Sequence, residues 1–146
     1  MMPLQNTATK VAIKPQSVTS GATASGYVDC LGYDEAAVDV VLDSQASTTS
    51  NPSVLKLSQS DITDATGFAD ITGFVGDATD GFVIPAAGGA APTVVRLNVD
   101  LRARKRYLRV QVSPDGATQM LSSVVTLGKA GDSTVARSEM SKVVDG

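Results

Sequence analysis

The sequence predicts an all-β fold, an antiparallel β-sandwich of the jelly-roll type, and three observations support this prediction. Apolar and polar residues alternate with a period of two in many short segments, whereas helical periodicity is nearly absent. Turn-forming residues separate these segments at fairly regular spacing, as in sandwiches and jelly rolls. Aromatic residues make up only 4% of the chain, and the prominent Val and Leu residues suit the pleated surface of a sheet.

Strand patterns recur through the first part of the chain. Residues 36–43 are the clearest example, because apolar side chains alternate with Asp39 and Asp43 and so predict one buried and one solvated face. The first strand is expected to end at Pro15, since proline has no N–H for a ladder. The predicted strands are residues 10–14, 25–33, 36–43 and 54–59, with a short strand around 68–74 and a brief one at 82–84.

The later part of the chain contains the strongest strand patterns. In residues 93–101, every second side chain from Val95 to Leu101 is apolar, and residues 106–112 alternate in the same way. Residues 114–116, Pro-Asp-Gly, predict a turn, because proline fixes φ and glycine accepts a positive φ. A last strand is predicted at residues 118–127, which brings the expected total to eight or nine strands.

The chain length of 146 residues suits one domain. We assign residues 10–128 to the β-sandwich, residues 1–9 to an N-terminal arm and residues 129–146 to a C-terminal arm or tail. Residues 44–53 are expected to form a polar low-complexity loop, and residues 86–92 a flexible Gly- and Ala-rich loop.

The composition argues against catalysis, so we expect a protein that is not an enzyme and has no catalytic residues and no cofactor. Histidine is absent, which removes the usual general base and the commonest metal ligand. The single cysteine, Cys30, excludes an intrachain disulfide and a Cys-based zinc site. Cys30 lies in an apolar run and is expected to be a buried structural thiol.

No apolar run approaches the roughly 20 residues that span a bilayer, so we expect no membrane partner. The first ten residues are polar and lack the apolar centre of a signal peptide. We therefore expect synthesis in a cytoplasm, with any exit occurring as part of an assembly.

The acidic residues are concentrated in the first two thirds of the chain, with a dense stretch at residues 61–80. Carboxylate, hydroxyl and carbonyl oxygens there could bind calcium, although the spacing does not match an EF-hand loop. Aspartates that stabilise turns through local hydrogen bonds explain the same stretch. We expect no metal site and retain cation binding by these loops as an alternative hypothesis.

A basic cluster at the junction of the two strongest strands is the main candidate site. Three interpretations remain open: a solvated corner, a surface that docks acidic protein groups through bidentate arginines, or a contact with nucleic acid phosphates. The acidic chain and the single interleaved aromatic residue disfavour nucleic acid, so we expect protein interaction and no nucleic acid partner. The candidate residues are Arg102, Arg104, Lys105, Arg106 and Arg109.

Five short segments together resemble a known family. Residues 32–41 (GYDEAAVDVV), 54–58 (VLKLS) and 98–108 (NVDLRARKRYL), with glycine-phenylalanine pairs at residues 73–74 and 81–82, are similar to the small decoration, or cement, proteins on tailed-phage capsids. The resemblance spans roughly residues 10–130, and its motifs are structural rather than catalytic.

The resemblance implies an auxiliary head component, a jelly roll that sits on the capsid exterior as a homotrimer or homodimer. Its implied partners are the major capsid protein and further copies of itself, and its implied place is the outer surface of the virion. A tail or head-to-tail joining component is the alternative virion role. A carbohydrate-binding β-sandwich module is a third hypothesis, against which the shortage of aromatic residues argues.

Overall fold

Alternating segments of the sequence form eight strands in the computed structural model, which describes residues 6–45, 51–86 and 91–129. The all-β prediction is confirmed, because these strands form two four-stranded antiparallel sheets packed together. The strands are β1 (Ala8–Val18), β2 (Ala24–Asp29), β3 (Glu35–Leu42), β4 (Val54–Ser60), β5 (Ala69–Val75), β6 (Thr93–Asp100), β7 (Tyr107–Ser113) and β8 (Gln119–Gly128).

Strand pairing follows the jelly-roll scheme. The first sheet has the order β1-β8-β3-β6, and the second sheet has the order β2-β7-β4-β5. The first strand pairs with the last, the second with the seventh, the third with the sixth, and the fourth with the fifth. An extended antiparallel ribbon of eight strands has therefore folded over on itself, which is how a double-sheet jelly roll arises.

The core lies between the sheets and is filled by the apolar faces that the alternation predicts. In β3, Val38, Val40 and Leu42 are fully buried, as expected from residues 36–43. Leu57 of β4 and Val110 of β7 meet them from the second sheet without solvent exposure. The predicted burial of Cys30 is confirmed, with its side chain in the same cluster.

The prediction that the first strand ends at Pro15 is wrong. β1 continues to Val18 as an edge strand, and its register against β8 shifts twice, once around Ala12 and once around Pro15. Proline is tolerated at such an irregular edge because the missing N–H leaves no broken ladder. β1 also begins at Ala8, two residues before the predicted start of the sandwich domain.

Several other predictions concern loops and arms. The brief strand expected at residues 82–84 is reduced to a bridge between Gly76 and Phe82. Residues 1–5 and 130–146 of the predicted arms lie outside the described residues, as do parts of the two predicted loops, residues 46–50 and 87–90. Within the described ranges, no helix is long and apolar enough to cross a bilayer.

The strand directions give the sandwich two different ends. The start of β1, the end of β8 and the β2–β3, β4–β5 and β6–β7 connections all lie at one end, which we call the charged end. Backbone hydrogen bonds close this end, because Cys30 donates to Arg106 and Leu101 donates to Asp34. The described chain thus begins and ends beside the connection that carries the basic cluster.

Candidate functional site

The predicted basic residues are brought together at the charged end. Arg102, Arg104, Lys105 and Arg106 form most of the connection between β6 and β7, and Arg109 follows on β7. This connection crosses from the first sheet to the second, so its side chains reach acids from both sheets. The cluster that is continuous in sequence therefore becomes a mixed-charge surface in the structure.

Arg106 is held by a bidentate pair with Asp29 at the end of β2. Its Nε and Nη2 atoms donate to the two carboxylate oxygens at 3.0 and 2.7 Å. This hydrogen bonding lowers the pKa of Asp29, with burial acting in the opposite direction and the Leu31 amide adding to the lowering. An Arg106 guanidinium held in this way has little side-chain rotamer freedom left to lose when it binds a partner.

Two further basic residues also face carboxylates. Arg102 donates to Asp100 at 2.9 and 2.6 Å, and these bonds, together with the Arg102 amide, lower the pKa of Asp100 to about 2. Lys105 lies 4.0 Å from Asp61. Since Arg102, Lys105 and Arg106 each have an acid beside them, the charge of these three residues is largely balanced, which weakens the attraction of the cluster for a phosphate backbone.

Arg104 differs from its neighbours. Its amide donates to the Leu101 carbonyl at 3.0 Å and closes the turn after β6. Its Nε atom is buried and has no hydrogen-bond partner among the described residues. No carboxylate within the described ranges forms an ion pair with the guanidinium of Arg104 or of Arg109, so these two are the least neutralised cations of the basic cluster.

An aromatic group on the outer face of the second sheet extends the site, and sequence reasoning missed two of its members. Tyr27 lies with its ring centroid 5.9 Å from that of Phe68 and 5.8 Å from that of Tyr107. Arg109 stacks 4.4 Å from the centre of the Phe68 ring, and Arg106 lies 5.0 Å from that of Tyr107. We call these five residues the Arg–aromatic cluster.

The Arg–aromatic cluster is fixed by small side chains beneath it. Ser58 and Ser60 of β4 are almost completely buried. The Arg109 Nε donates to the Ser58 hydroxyl at 2.9 Å, and an Arg109 Nη1 atom reaches the Ala65 carbonyl at 3.4 Å. Serine thus leaves room for the larger side chains to lie flat over the sheet, which makes the outer surface rigid.

The acidic stretch at residues 61–80 has structural roles in the described chain. Asp64 accepts hydrogen bonds from the Thr66 amide and hydroxyl and caps a short 3-10 turn. Asp70 pairs with Lys56 at 3.0 Å, and Asp77 accepts from the Ile84 amide. No group of three or more metal-ligating side chains occurs among the residues described. The turn-stabilising interpretation therefore accounts for Asp64 and Asp77, whereas Asp70 joins two neighbouring strands through its ion pair.

The composition of the site suits contact with another macromolecule. Tyrosine and arginine are enriched where a few residues contribute most of a protein interface's binding energy. Tyr27 keeps 46% of its surface exposed, so its ring is available to a partner. Tyr27 and Phe68 have no distinctive sequence context and are far apart in the chain. Only the pairing of β2 with β7, of β7 with β4 and of β4 with β5 brings them together.

No protein-family model and no curated protein matches this sequence. Among solved structures, the K3 cleaved adhesin domain of Lys-gingipain from Porphyromonas gingivalis is similar at 19% identity and a TM-score of 0.48, over 78% of this chain and 74% of that one. The enzymatically active domain of tailspike protein 4 from bacteriophage CBA120 matches at 11% identity and a TM-score of 0.46. That match covers 84% of this chain and 19% of the tailspike chain.

An infectious bursal disease virus structure, of the Gx strain, matches at 11% identity and a TM-score of 0.44 over 86% of this chain. The match covers 32% of the virus chain, so this chain spans about a third of its length. All three TM-scores are below 0.5, so the fold assignment rests on the strand order and pairing described above.

Proposed function

We propose that this chain is a decoration protein of a tailed-phage capsid, which binds the outer surface of the major capsid shell and stabilises it. The sequence resemblance supports the virion role, and the jelly-roll architecture is the one that this resemblance implies. The protein acts as a structural component, without a catalytic step or a cofactor. Its partners are the major capsid protein and further copies of itself.

The rigid Arg–aromatic cluster beside the charged end is the observation that carries this proposal. Residues 98–108, the longest of the resembling segments, cover the end of β6, the β6–β7 connection and the start of β7, and they supply Arg106 and Tyr107 to this cluster. A partner that binds there would bury the exposed ring of Tyr27. The arginines beside this ring are already held in one orientation. Such an arrangement gives affinity at a low cost in side-chain entropy.

The position of the chain ends adds a second contact. β1 begins and β8 ends at the charged end, so residues 1–5 and 130–146 follow from the sandwich at that end. Arms attached there would reach a neighbouring capsid subunit while the cluster holds the first one. Many copies on one shell then convert modest individual contacts into a large total stabilisation.

The test uses capsids of the encoding phage, produced without this protein. Purified wild-type chain is added, and binding and the capsid melting temperature are measured. We expect saturable binding and a higher melting temperature, with Tyr27→Ala binding at least tenfold more weakly and the control Lys14→Ala binding normally. Wild-type chain that neither binds nor protects the shell would reject the cement role. A few copies at a vertex or tail would indicate a joining component instead.

A carbohydrate-binding module is the second candidate, and the Arg–aromatic cluster favours it specifically. The chain has few aromatic residues, yet half of its Phe and Tyr residues are gathered on one sheet face. Exposed rings flanked by hydrogen-bonding groups can stack on sugar rings. A glycan array is the direct test, and binding that Tyr27→Ala abolishes would support this candidate over the capsid role.

A further inference from the structure

Three of the four sheet edges are obstructed. β1 carries Pro15 and two register shifts against β8. β2 is covered by β1, which passes so close that a Cβ atom at Gly26 would lie 1.6 Å from the Ala12 carbonyl oxygen. β5 contains Gly73 at a φ of 90°, and its pairing with β4 is irregular. Prolines, bulges and covering segments are the usual means by which proteins prevent edge-to-edge pairing.

β6 is the exception. Its eight residues pair with β3 without any register shift, and the strand contains neither proline nor glycine. No strand pairs with its other side among residues 6–45, 51–86 and 91–129. The Leu101 amide donates to Asp34 on the β3 side, so alternation along an antiparallel ladder points the polar backbone groups of Val94, Arg96, Asn98 and Asp100 to the open side.

We propose that β6 pairs antiparallel with β6 of a second copy about a two-fold axis at Asn98, which joins the first sheets of both copies into one continuous sheet. This pairing is isologous, so it closes as a dimer and leaves no further β6 edge. The backbone groups turned to the open side then exchange hydrogen bonds with their counterparts, because Asn98 faces Asn98 of the second copy.

Charge selects this register. With Asn98 on the axis, Arg96 of one copy stands opposite Asp100 of the other, and the same pair occurs a second time by symmetry. Shifting the axis to Arg96 would oppose two arginines, and shifting it to Val99 would oppose Arg96 with Arg102. Like charges directly opposite each other destabilise a strand pair, whereas opposite charges stabilise it.

The apolar residues of β6 agree with the same register. On the inner side, Leu97 of one copy stands opposite Val99 of the other, and both already border the core. On the outer side, Val94 is 62% exposed. Its cross-strand neighbour on β3, Val41, is 36% exposed. Dimerisation would cover part of this apolar surface while it completes the backbone hydrogen bonds.

Substitution at the axis gives a test that depends on the register. Asn98 is exposed, so Asn98→Lys and Asn98→Asp should fold normally, as checked by circular dichroism. In each homodimer the new charge would face itself, and we expect at least a tenfold higher dimer dissociation constant by analytical ultracentrifugation. An equimolar mixture of the two variants should form a heterodimer with an affinity near that of the wild type. Asn98→Thr, which adds no charge, is the matched control.

The outcomes separate this inference from the proposed function. A wild-type monomer, a trimer, or a dimer unaffected by Asn98→Lys would overturn the β6 pairing, and so would failure of the oppositely charged variants to associate. None of these measurements uses a capsid. A wild-type dimer that behaves as expected but does not bind capsids would therefore reject the decoration role and leave the dimer intact.

Discussion

The outer faces of the two sheets are built from different side chains. The first sheet exposes Val11, Val94 and Met120 and carries the bidentate pair of Arg96 with Asp39 at 2.7 and 2.8 Å. The second sheet carries the Arg–aromatic cluster, in which stacking and hydrogen bonds fix nearly every large side chain. The first face thus offers separate exposed apolar side chains beside an open edge, and the second offers a few anchoring groups that are held in place by their neighbours. Self-association suits the first face, and a distinct partner suits the second.

The largest expected effect compares the inner and outer sides of one strand of the second sheet. Leu108→Ala removes a side chain that is 1% exposed and should lower the free energy of unfolding by about 2–5 kcal/mol. Tyr107→Ala, one residue away on the outer face, should cost clearly less. Urea denaturation measures both, and equal losses would mean that the outer face is as important to folding as the core.

Next in size is Tyr27→Ala, which removes two ring contacts of the Arg–aromatic cluster. We expect a loss of about 1–3 kcal/mol in the free energy of unfolding, since each of the two aromatic pairs contributes about 0.5–1.5 kcal/mol. Tyr27→Phe keeps both contacts and serves as the control. A stability unchanged by the alanine variant would show that the rings do not support one another.

Low pH should weaken both faces through their ion pairs. Hydrogen bonds from Arg106 and Arg96 lower the pKa of Asp29 and Asp39 below the ordinary value of 3.8. As the pH falls, these aspartates therefore take up protons in the unfolded chain before they do so in the folded chain. The stability that the two ion pairs contribute is present above about pH 4, and it is lost as the pH falls through the lowered pKa values of the folded chain. Thermal melting at several pH values should show this decline, with a smaller slope in Asp29→Asn and in Asp39→Asn. An unchanged slope in both variants would contradict the assignment.

The smallest expected effect lies on the first sheet. Val41→Thr replaces an exposed valine by a residue of similar shape and β-propensity, and the free energy of unfolding should change by less than about 0.5 kcal/mol. The adjacent Val40→Thr, which introduces a hydroxyl into a fully buried position, is the contrasting variant. An equal loss of unfolding free energy in Val41→Thr and Val40→Thr would mean that the exposed Val41 contributes to packing.

Much of the fold could be predicted because one face of most strands is buried. The predicted segment 54–59 and the strand Val54–Ser60 differ by one residue, and the other strongly alternating segments agree nearly as well. The predicted end of the first strand at Pro15 was wrong because proline is excluded only from regular strand pairing. The sequence alone does not show that β1 is an irregular edge strand. Ser58 looks like a surface residue, yet it is fully buried and accepts a hydrogen bond from Arg109, which lies 51 positions away in the chain.

The candidate site could be predicted only in part. The basic run was recognisable as a cluster, but its neutralisation was not, since Asp29 precedes Arg106 by 77 residues in the chain. The Arg–aromatic cluster depends on strand register in the same way. Residues that become neighbours through pairing between distant strands leave no local pattern, and their assembly follows from topology alone.

The pairing of the first strand with the last also governs how this chain can fold. Ala8 stands opposite Leu127, so the first sheet cannot be completed until almost the whole sandwich sequence is available. Such distant partners make loop closure costly and folding slow compared with helical proteins of equal size. On a ribosome, β1 must therefore wait unpaired while the rest of the domain is synthesised, and Pro15 reduces the risk of aggregation during that interval.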